Sequence, residues 1–483
     1  MHTYVVCLMW RNIARDRFTD HPLSTLLFWR VMELVLREED AKDWVYKGEG
    51  AASIVLSYIG HSVFLLGKVL RIRKGSRGRS KLANGCSFLS ELETLLWKST
   101  EELVESTTRE IVEQVFMMRV MGPLLDTKHV DEGILVIVSY EFLDSVAKCL
   151  HHQRPPWRID VSDVDTFCNF AMLFSDHSVI MRSPGTLIED VCFAVEIKPK
   201  CGFLPDSEFI ANRNAVKKHV TRFRMHQTLK LHKGEISKIS EYNPLDLFSG
   251  KRERIHQAII ALFDTPQNNL RIFVNGSLIY GGLGGGIDNS ALCFGVGEIE
   301  NISKTFGLRL TSCLELVTEA IFSSSALEKL LVAQKLDVFD IEGAIHAYYN
   351  IISQPCLACK NSTDPALHHR YLFLHDLSME ESLKIVRDYL IAATAKDCSV
   401  MICFKPTNDR SKAEFNTLFL KSSNRSFEYK VNFIDLDMKP LEKMVYYYEL
   451  DQKIVNFFAN HNHNVVTYCN STDILDEGKQ LQH

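Results

Sequence analysis

Along the first 180 residues, the apolar positions fall into short strand-like runs and one helical stretch. Residues 43–73 are rich in β-branched and aliphatic residues and predict a strand, a glycine-rich turn, a strand, a turn and a strand. Between residues 90 and 119 the apolar positions recur at helical spacing, and residues 134–138 predict a buried strand. This pattern is typical of a small α/β nucleotide-binding lobe that ends near Asp176.

The rest of the chain predicts a larger, mixed second lobe. Residues 310–331 and 379–394 have helical patterns, and the glycine run within 283–289 predicts an exposed loop. We find no internal repeat and expect an α+β fold. The expected boundaries are a disordered extension at 1–31, an N-terminal α/β lobe at 32–176, a C-terminal lobe at 177–470 and a disordered tail at 471–483.

Composition narrows the class of protein. The chain has 483 residues, of which 46% are hydrophobic and 24% charged, as in a large globular protein. Its formal net charge of -5 argues against a nucleic-acid partner, and no apolar run has the length of a membrane-spanning helix. The 13 cysteines are scattered, which favours the reducing cytoplasm or nucleus over a secreted disulfide framework.

The segment 195–205 reads Val-Glu-Ile-Lys-Pro-Lys-Cys-Gly-Phe-Leu-Pro and carries the most specific chemistry. Alternate residues of a strand point to the same face, so Lys198 and Lys200 would point together before Pro199 and Gly202 turn the chain. Two ammonium groups beside Glu196 suit a phosphorylated ligand. Taken alone, however, Lys-x-Lys is more often an ordinary strand end with solvated lysines.

Two further features are ambiguous when taken alone. Gly48 and Gly50 would let the backbone approach phosphate oxygens, although Gly-x-Gly is usually an ordinary turn and no Walker lysine follows it. Asp397 follows a helical pattern and Asp435 follows an apolar strand pattern. Each is either a cap or turn residue or a functional carboxylate, and Asp435 could hold Mg²⁺. Asp437, two residues further on, could face the same side.

A Cys-x-x-Cys pair suggests a metal site. Cys356 and Cys359 follow His346 and precede His375, and two cysteines with two histidines can form a closed tetrahedral zinc site. Two free cysteines near a turn are an equally good interpretation of the spacing. His368 and His369 are alternatives to His375 as the fourth ligand.

Several motifs, in order, resemble those of the inositol-pentakisphosphate 2-kinases, and of their plant branch most of all. They span about residues 43–453 and include Gly-Glu-Gly-Ala-Ala-Ser at 48–53, Arg-Phe-Arg-Met-His-Gln at 222–227, Thr-Pro-Gln-Asn-Asn at 265–269, Ala-Lys-Asp-Cys-Ser at 395–399 and Ile-Asp-Leu-Asp-Met-Lys-Pro at 434–440. The resemblance implies a two-lobed, kinase-like fold and ATP-dependent, Mg²⁺-dependent phosphorylation of the 2-hydroxyl of inositol 1,3,4,5,6-pentakisphosphate. It implies a small-molecule substrate, with no nucleic acid or membrane, and we expect a monomer.

The resemblance also implies roles for individual residues. Asp397 would be the general base and Asp435 the Mg²⁺ ligand, with structural Zn²⁺ held by His346, Cys356, Cys359 and His375. Contacts to ATP are implied for Gly48, Glu49, Gly50, Ala51, Arg71, Asp176, His177 and Glu196. Contacts to the inositol phosphate are implied for Arg158, Lys198, Lys200, Lys230, Asn268, Asn269, Lys439, Lys443 and Tyr447.

The spacing of three of the implied substrate contacts gives a further structural prediction. Lys439, Lys443 and Tyr447 are spaced four and four, which would place them on one face of a helix. Lys443 departs from the plant pattern, which has arginine there; lysine keeps the positive charge but loses the bidentate geometry of arginine. Arg222 and His226 belong to a strong motif but could be structural.

Overall fold

A computed structural model of the chain describes residues 31–76, 89–181, 191–282, 306, 308–360, 365–408 and 414–461. Apart from Val31, the expected extension at 1–31 lies outside these residues. So do the expected tail at 471–483 and the loop at 283–289.

The first half of the chain forms a mostly antiparallel sheet in the order β1-β5-β7-β4-β3-β2, with β6 paired to the end of β4. Among the strands of this sheet that the structure describes, β1 and β5 are the only parallel pair. The predicted strands of residues 43–73 and 134–138 are confirmed. The strands are β1 (Val31–Leu36), β2 (Trp44–Glu49), β3 (Ser53–Tyr58), β4 (Lys68–Ser76), β5 (Ile134–Val138), β6 (Ser162–Val164) and β7 (Phe170–Ser175).

The second half forms an antiparallel sheet in the order β10-β9-β8-β11-β13-β12. All five residues of β8 are buried, as expected for an apolar strand in the middle of a sheet that is covered on both faces. The strands are β8 (Phe193–Ile197), β9 (Leu270–Val274), β10 (Ser277–Tyr280), β11 (Ser399–Thr407), β12 (Asn416–Leu420) and β13 (Arg425–Ile434).

Helices cover both sheets. They are α1 (Glu91–Leu96), α2 (Glu101–Val104), α3 (Arg109–Phe116), α4 (Gly122–Leu125), α5 (Tyr140–Leu150), α6 (Pro156–Ile159), α7 (Arg222–His232), α8 (Pro244–Leu247), α9 (Arg252–Asp264), α10 (Leu310–Ser323), α11 (Ala326–Gln334), α12 (Asp340–Ile352), α13 (Leu357–Lys360), α14 (Pro365–His375), α15 (Met379–Asp397) and α16 (Met444–His461). Shorter turns of 3₁₀ helix cover Glu38–Asp43, Thr127–His129, Asn212–Lys218 and Leu441–Lys443, and Met117–Met121 is a π turn.

Helix caps explain where two predicted helices differ from the observed ones. The helical pattern at 90–119 is divided into α1, α2 and α3, and Thr108 starts α3 by accepting a hydrogen bond from the Ile111 amide. Residues 310–331 similarly form α10 and α11, separated at Ser324. The predicted helix at 379–394 is confirmed as α15, which Ser378 and Glu381 begin with a reciprocal capping box.

The largest core lies between the second sheet and the helices around it, with Phe193, Phe404 and Phe427 fully enclosed. A separate core packs α5 against the first sheet around Leu56, Leu70 and Phe142. The chain is therefore a mixed α+β structure with two sheets. Among the described residues, no helix is both long enough and apolar enough to cross a bilayer.

Candidate active site

The strand order of the second sheet brings several predicted site residues to one edge. In that sheet Ile197 pairs with Val400 and Ile434 with Ser399, so β8 and β13 end on either side of the start of β11. Lys198 follows β8, Asp435 follows β13, and Asp397 closes α15 just before β11. The edge therefore brings Lys198 beside Asp435, which lies 237 positions later in the chain.

Each of the two aspartates contacts lysine. Lys198 Nζ lies 3.0 Å from Asp435 Oδ2, and Lys439 Nζ lies 3.1 Å from Asp397 Oδ2. On the other side of Asp397, Lys200 Nζ is 3.7 Å from Oδ1. Both carboxylates keep more than half of their side-chain surface accessible, at 60% for Asp397 and 53% for Asp435, so a ligand can reach them.

These cations keep both carboxylates ionised. Partial loss of solvent contact would by itself raise the pKa of Asp397, but Lys439, Lys200 and Lys198 outweigh it and lower the pKa. Burial is likewise outweighed at Asp435, whose pKa is lowered by Lys198 and Arg71. An ionised Asp397 is the form that can accept a proton.

The backbone at this edge differs from the expected continuous strand. β8 ends at Ile197, and Lys200 has a left-handed φ of +62°, so the expectation that Lys198 and Lys200 share one strand face was wrong. Gln334 holds the turn by donating to the Lys200 carbonyl at 2.8 Å and accepting from the Gly202 amide at 2.8 Å. As a result, each lysine faces a different aspartate.

Beside Asp397 and Lys200 lies a cavity of about 400 Å³ whose lining includes five lysines, Arg222, His226 and three amide side chains, together with acidic and apolar residues. Six residues predicted to bind the inositol phosphate line it, namely Lys200, Lys230, Asn268, Asn269, Lys439 and Tyr447. The side-chain oxygen of Asn269 is buried and, within the described part of the chain, has no hydrogen-bond partner. An amide oxygen can only accept, so the partner it lacks is a donor such as a hydroxyl group or a water molecule.

Three other predicted substrate contacts lie elsewhere. Lys198 is at the strand edge against Asp435, and Lys443 is exposed and outside the cavity lining. Arg158 lies beside the glycine hairpin, with Nη1 3.5 Å from the Gly50 carbonyl. The expected helix face of Lys439, Lys443 and Tyr447 was wrong, because α16 begins only at Met444 and Pro440 disfavours helical backbone at Lys439.

Sequence reasoning gave too little weight to a second set of residues. Arg222, His226 and Lys230 are spaced four and four on α7 and line the cavity together. Burial and the neighbouring Lys230, Arg222 and Lys200 lower the pKa of His226 to about 3, so it is neutral at ordinary pH. The spacing that misled us at Lys439 was present here on a real helix and would have identified this face.

A buried ion cluster supports the same cavity. Lys217 Nζ contacts Asp340 at 2.5 Å, Asp451 at 2.7 Å and Glu342 at 3.2 Å. Asp451 also accepts from Arg222 Nε at 3.1 Å. Lys217 is therefore committed to the protein, whereas the terminal nitrogens of Arg222 can face a ligand.

The predicted nucleotide-binding hairpin is the turn between β2 and β3. A Cβ atom added at Gly48 or Gly50 would meet no atom of the described residues within 4 Å, so their backbones face open space within that part of the chain. The carboxylate of Glu49 lies in a buried cluster with Lys74 and Arg154 and so does not face a nucleotide. A nucleotide could contact the backbone of Glu49 and of the exposed Ala51.

The remaining residues predicted to contact ATP have protein partners of their own. Arg71 pairs with Asp437 across the gap between the two sheets, and Glu196 contacts Arg271 at 3.2 Å. Asp176 pairs with Lys47 at 2.7 Å, and His177 Nε2 lies 3.3 Å from Asp131. Lys47 and Arg271 were not predicted, and single basic residues on strands carry no signal by which to find them.

The four predicted metal ligands do meet. The ligand atoms of His346, Cys356, Cys359 and His375 all lie within 4.8 Å of one another. His346 Nδ1 is 3.1 Å from His375 Nε2 and 3.3 Å from Cys356 Sγ, while Cys359 Sγ is 3.2 Å from His375 Nε2. Edges of this length are close to those of a tetrahedron with zinc–ligand bonds of about 2.0–2.3 Å.

The surroundings of the cluster also suit a metal. Asn350 Oδ1 lies 2.8 Å from His375 Nδ1, the kind of contact that orients a ligating histidine. His369, one of the two alternative ligands, is exposed on α14 and lies outside the cluster. The donor set and its geometry therefore fit Zn²⁺.

Comparison with known proteins agrees with the family resemblance of the sequence motifs. The pattern that defines the inositol-pentakisphosphate 2-kinases matches residues 46–453. The inositol-pentakisphosphate 2-kinase of Oryza sativa subsp. indica is 52% identical over 431 residues, which are 89% of this chain and 96% of the rice protein. The enzymes of that name from Arabidopsis thaliana and Danio rerio are 48% and 30% identical, over 88% of this chain in both cases and over 95% and 94% of their own lengths. The chain belongs to the inositol-pentakisphosphate 2-kinase family.

Proposed function

We propose that this protein transfers the γ-phosphoryl group of ATP to the 2-hydroxyl of inositol 1,3,4,5,6-pentakisphosphate, giving inositol hexakisphosphate and ADP. The observation that carries the proposal is the position of Asp397. It is an ionised, accessible carboxylate between Lys200 and Lys439, at the edge of a cavity that Arg222 and Lys230 also line. A proton acceptor beside a cluster of cations suits phosphoryl transfer to a hydroxyl of a polyanion.

In this mechanism Asp397 accepts the proton of the 2-hydroxyl group. At the same time the oxygen of that hydroxyl group forms a bond to the γ-phosphorus. The bond from that phosphorus to the bridging oxygen of ADP breaks. Asp435 would hold Mg²⁺, a cation that prefers carboxylate and phosphate oxygens and would neutralise charge on the phosphates. Lys198, 3.0 Å from Asp435, adds a fixed positive charge at the same place.

The nucleotide would lie between the two sheets, as in a two-lobed, kinase-like arrangement. The turn at Gly48–Ala51 would cover its phosphates, with Arg71 beside them and the segment at Asp176 and His177 near the base. The open space at Gly48 and Gly50 supports this assignment, since backbone amides can approach phosphate there.

The inositol phosphate would occupy the cavity beside Asp397. Lys200, Lys230, Lys439, Asn268, Asn269 and Tyr447 would contact it, and the geometry adds Arg222 and His226. Five phosphates require several cations at once, and the face formed by α7 supplies a second side of the clamp. Arg158 and Lys443 would reach the substrate only from the rim.

We also propose that His346, Cys356, Cys359 and His375 hold one structural Zn²⁺. The four ligands complete a closed site and leave no position for a substrate. They join α12, α13 and α14, so the metal would stabilise this part of the fold rather than take part in the reaction.

The direct test is to incubate the protein with ATP, Mg²⁺ and the pentakisphosphate and to measure hexakisphosphate and ADP in equal amounts. Binding of the pentakisphosphate without turnover would instead identify a catalytically inactive binding module. If removal of the metal abolished binding of a protein partner but left the kinase reaction intact, the Cys/His site would serve interaction.

A further inference from the structure

Lys47 lies at an irregularity of β2. In the pairing of β2 with β3, Tyr46 is opposite Leu56 and Gly48 is opposite Val55, so Lys47 is an extra residue. Such a bulge interrupts the alternation of side chains and turns the extra residue in a new direction. Here it directs the Lys47 side chain out of the first sheet and towards the second.

The ammonium group of Lys47 has three acceptors, as many as it has protons. It donates to Asp176 Oδ2 at 2.7 Å, to Ser178 Oγ at 3.0 Å and to the Gly276 carbonyl at 2.9 Å. Asp176 and Ser178 follow β7, whereas Gly276 lies in the turn between β9 and β10. One side chain therefore joins the strand before the glycine hairpin to the end of the first sheet and to a turn of the second.

The acceptors are themselves fixed. Asp176 Oδ1 accepts from the Ser178 amide at 3.0 Å, so both oxygens of that buried carboxylate are used within the protein. Asn275 fixes the turn to Cys192 by two hydrogen bonds of 2.7 and 2.9 Å. Gly276 has φ +81°, and a Cβ there would lie 3.3 Å from Asp176 Oδ2, so the turn requires glycine.

We propose that Lys47 is a positioning residue that fixes the glycine hairpin for ATP, acting through a group of residues that we name the Lys47 cluster (Lys47, Asp176, Ser178 and Gly276). The inference rests on the proposed function, because it assigns the hairpin to the nucleotide. Lys47 holds the residue before Gly48 to the second sheet, and Lys74 and Arg154 hold Glu49 within the first. The backbone at Gly48, between Lys47 and Glu49, is therefore held by contacts on either side before a nucleotide binds. This reduces the cost of ordering the turn on binding.

A consequence concerns Asp176. Asp176 is buried, and Lys47, the Ser178 amide and the Ser178 hydroxyl all donate to its carboxylate, so we assign its effect on the nucleotide to Lys47 rather than to direct contact. Loss of either partner should therefore weaken ATP binding, and loss of both should do little more than loss of one.

The test compares Lys47→Met, Asp176→Asn and the double variant, with Lys42→Met as the matched control. Lys42 is exposed and lies five residues earlier in the chain. Two quantities are measured: the KM for each substrate, and the Kd of an ATP analogue in the absence of inositol phosphate. We expect each single variant to raise the ATP KM and the Kd about tenfold, the scale of one charge-assisted hydrogen bond. The double variant should show nearly the same increase, the pentakisphosphate KM should stay within about twofold, and Lys47→Arg should restore much of the affinity.

A lower melting temperature with unchanged ATP KM and Kd would show that the cluster only stabilises the fold, and so would an equal rise in both KM values. Either result would overturn the proposal, as would full additivity in the double variant. If Lys47→Met does not fold, Ser178→Ala, which removes one of the three acceptors, carries the same comparison. If the wild-type protein binds the ATP analogue but makes no hexakisphosphate, the proposed function fails while the Kd comparison still tests the Lys47 cluster.

Discussion

At the scale of single residues, the site is defined by which charge stands beside which. Asp397 and Asp435 follow a helix and a strand, and a carboxylate at either place is commonly a cap. They differ from ordinary caps because Lys198, Lys200 and Lys439 lie close to them and keep both carboxylates ionised. A paired carboxylate with more than half of its side chain accessible is available for chemistry as well as for structure.

Asp397→Asn should reduce turnover by roughly 10²–10⁴-fold, because the amide keeps the size of the side chain but cannot accept the proton. ATP binding should change little, and measurement of kcat beside the Kd of an ATP analogue checks both. Asp388→Asn is a matched control, since Asp388 lies on the same helix and pairs with Lys384 away from the cavity. Wild-type turnover in Asp397→Asn would place the base elsewhere.

Affinity for the inositol phosphate should fall as the pH rises through about 8. Burial lowers the pKa of Lys200 to about 8, with Lys198 and Lys230 adding to the effect and Asp397 opposing it. Above that pH the empty site loses one positive charge, so the pentakisphosphate KM should increase. In Lys200→Arg the increase should disappear, since arginine stays charged. The same pH profile in both proteins would mean that Lys200 is not the titrating group.

At the scale of secondary-structure elements, α7 and α12 matter most. α7 presents Arg222, His226 and Lys230 to the cavity at intervals of one turn. α12 begins with Asp340 and Glu342 in the Lys217 ion cluster, and carries His346 one turn further on. One helix thus supports both the substrate cavity and the Cys/His cluster.

The two faces of α7 should differ in function. Arg222→Ala should raise the pentakisphosphate KM about tenfold and leave the ATP KM nearly unchanged, since it removes a charge-assisted contact to phosphate. Arg224 lies on the same helix, but it is exposed, outside the cavity lining, and reaches the Ser240 carbonyl at 3.4 Å. Arg224→Ala should behave as wild type, and equal effects of the two variants would contradict the assigned cavity.

The purified protein should contain about one zinc per chain by elemental analysis. Cys356→Ser and Cys359→Ser should lose the metal and lower the melting temperature, because binding of the metal is coupled to local folding. Cys149→Ser, at an exposed cysteine, should change neither property. His375→Ala should lose zinc whereas His369→Ala should retain it, and the reverse result would show that the fourth ligand is His369.

At the scale of the whole molecule, the two sheets are joined by polar contacts as well as by the largest apolar core, which includes Leu135 and Met172 of the first sheet. Lys47 contacts the Gly276 carbonyl, Arg71 pairs with Asp437, and His129 Nδ1 lies 2.7 Å from the Val431 carbonyl. The Leu441 amide, just before α16, donates to Glu93 at 3.1 Å. Two of these contacts, Arg71–Asp437 and Glu93–Leu441, flank Lys439, so the first sheet helps to position the segment that carries Asp435 and Lys439.

The sequence by itself determined much of the local structure. The strands at 43–73 and 134–138 and the helix at 379–394 followed from the spacing of apolar residues, because such spacing reflects burial on one face. The resemblance carried by ordered motifs identified the family, and Cys-x-x-Cys with its two histidines identified a candidate metal cluster. These are properties of short segments, in which neighbours in sequence are also neighbours in space.

Only the tertiary structure decided what meets across long separations. The order β9-β8-β11-β13 brings Lys198 to Asp435, and the turn at Lys200, fixed by Gln334, directs that lysine to Asp397. The Lys439 helix face failed as a prediction because Pro440 delays the helix. The same spacing at Arg222, His226 and Lys230, which the sequence analysis did not use, lies on a real helix. Lys47 had no signal at all, since its direction depends on a bulge and its partners lie 129 to 229 residues away. Side-chain spacing along one segment follows from local geometry, but the pairing of charges depends on the strand order and on the turns, which the packing of the whole chain selects.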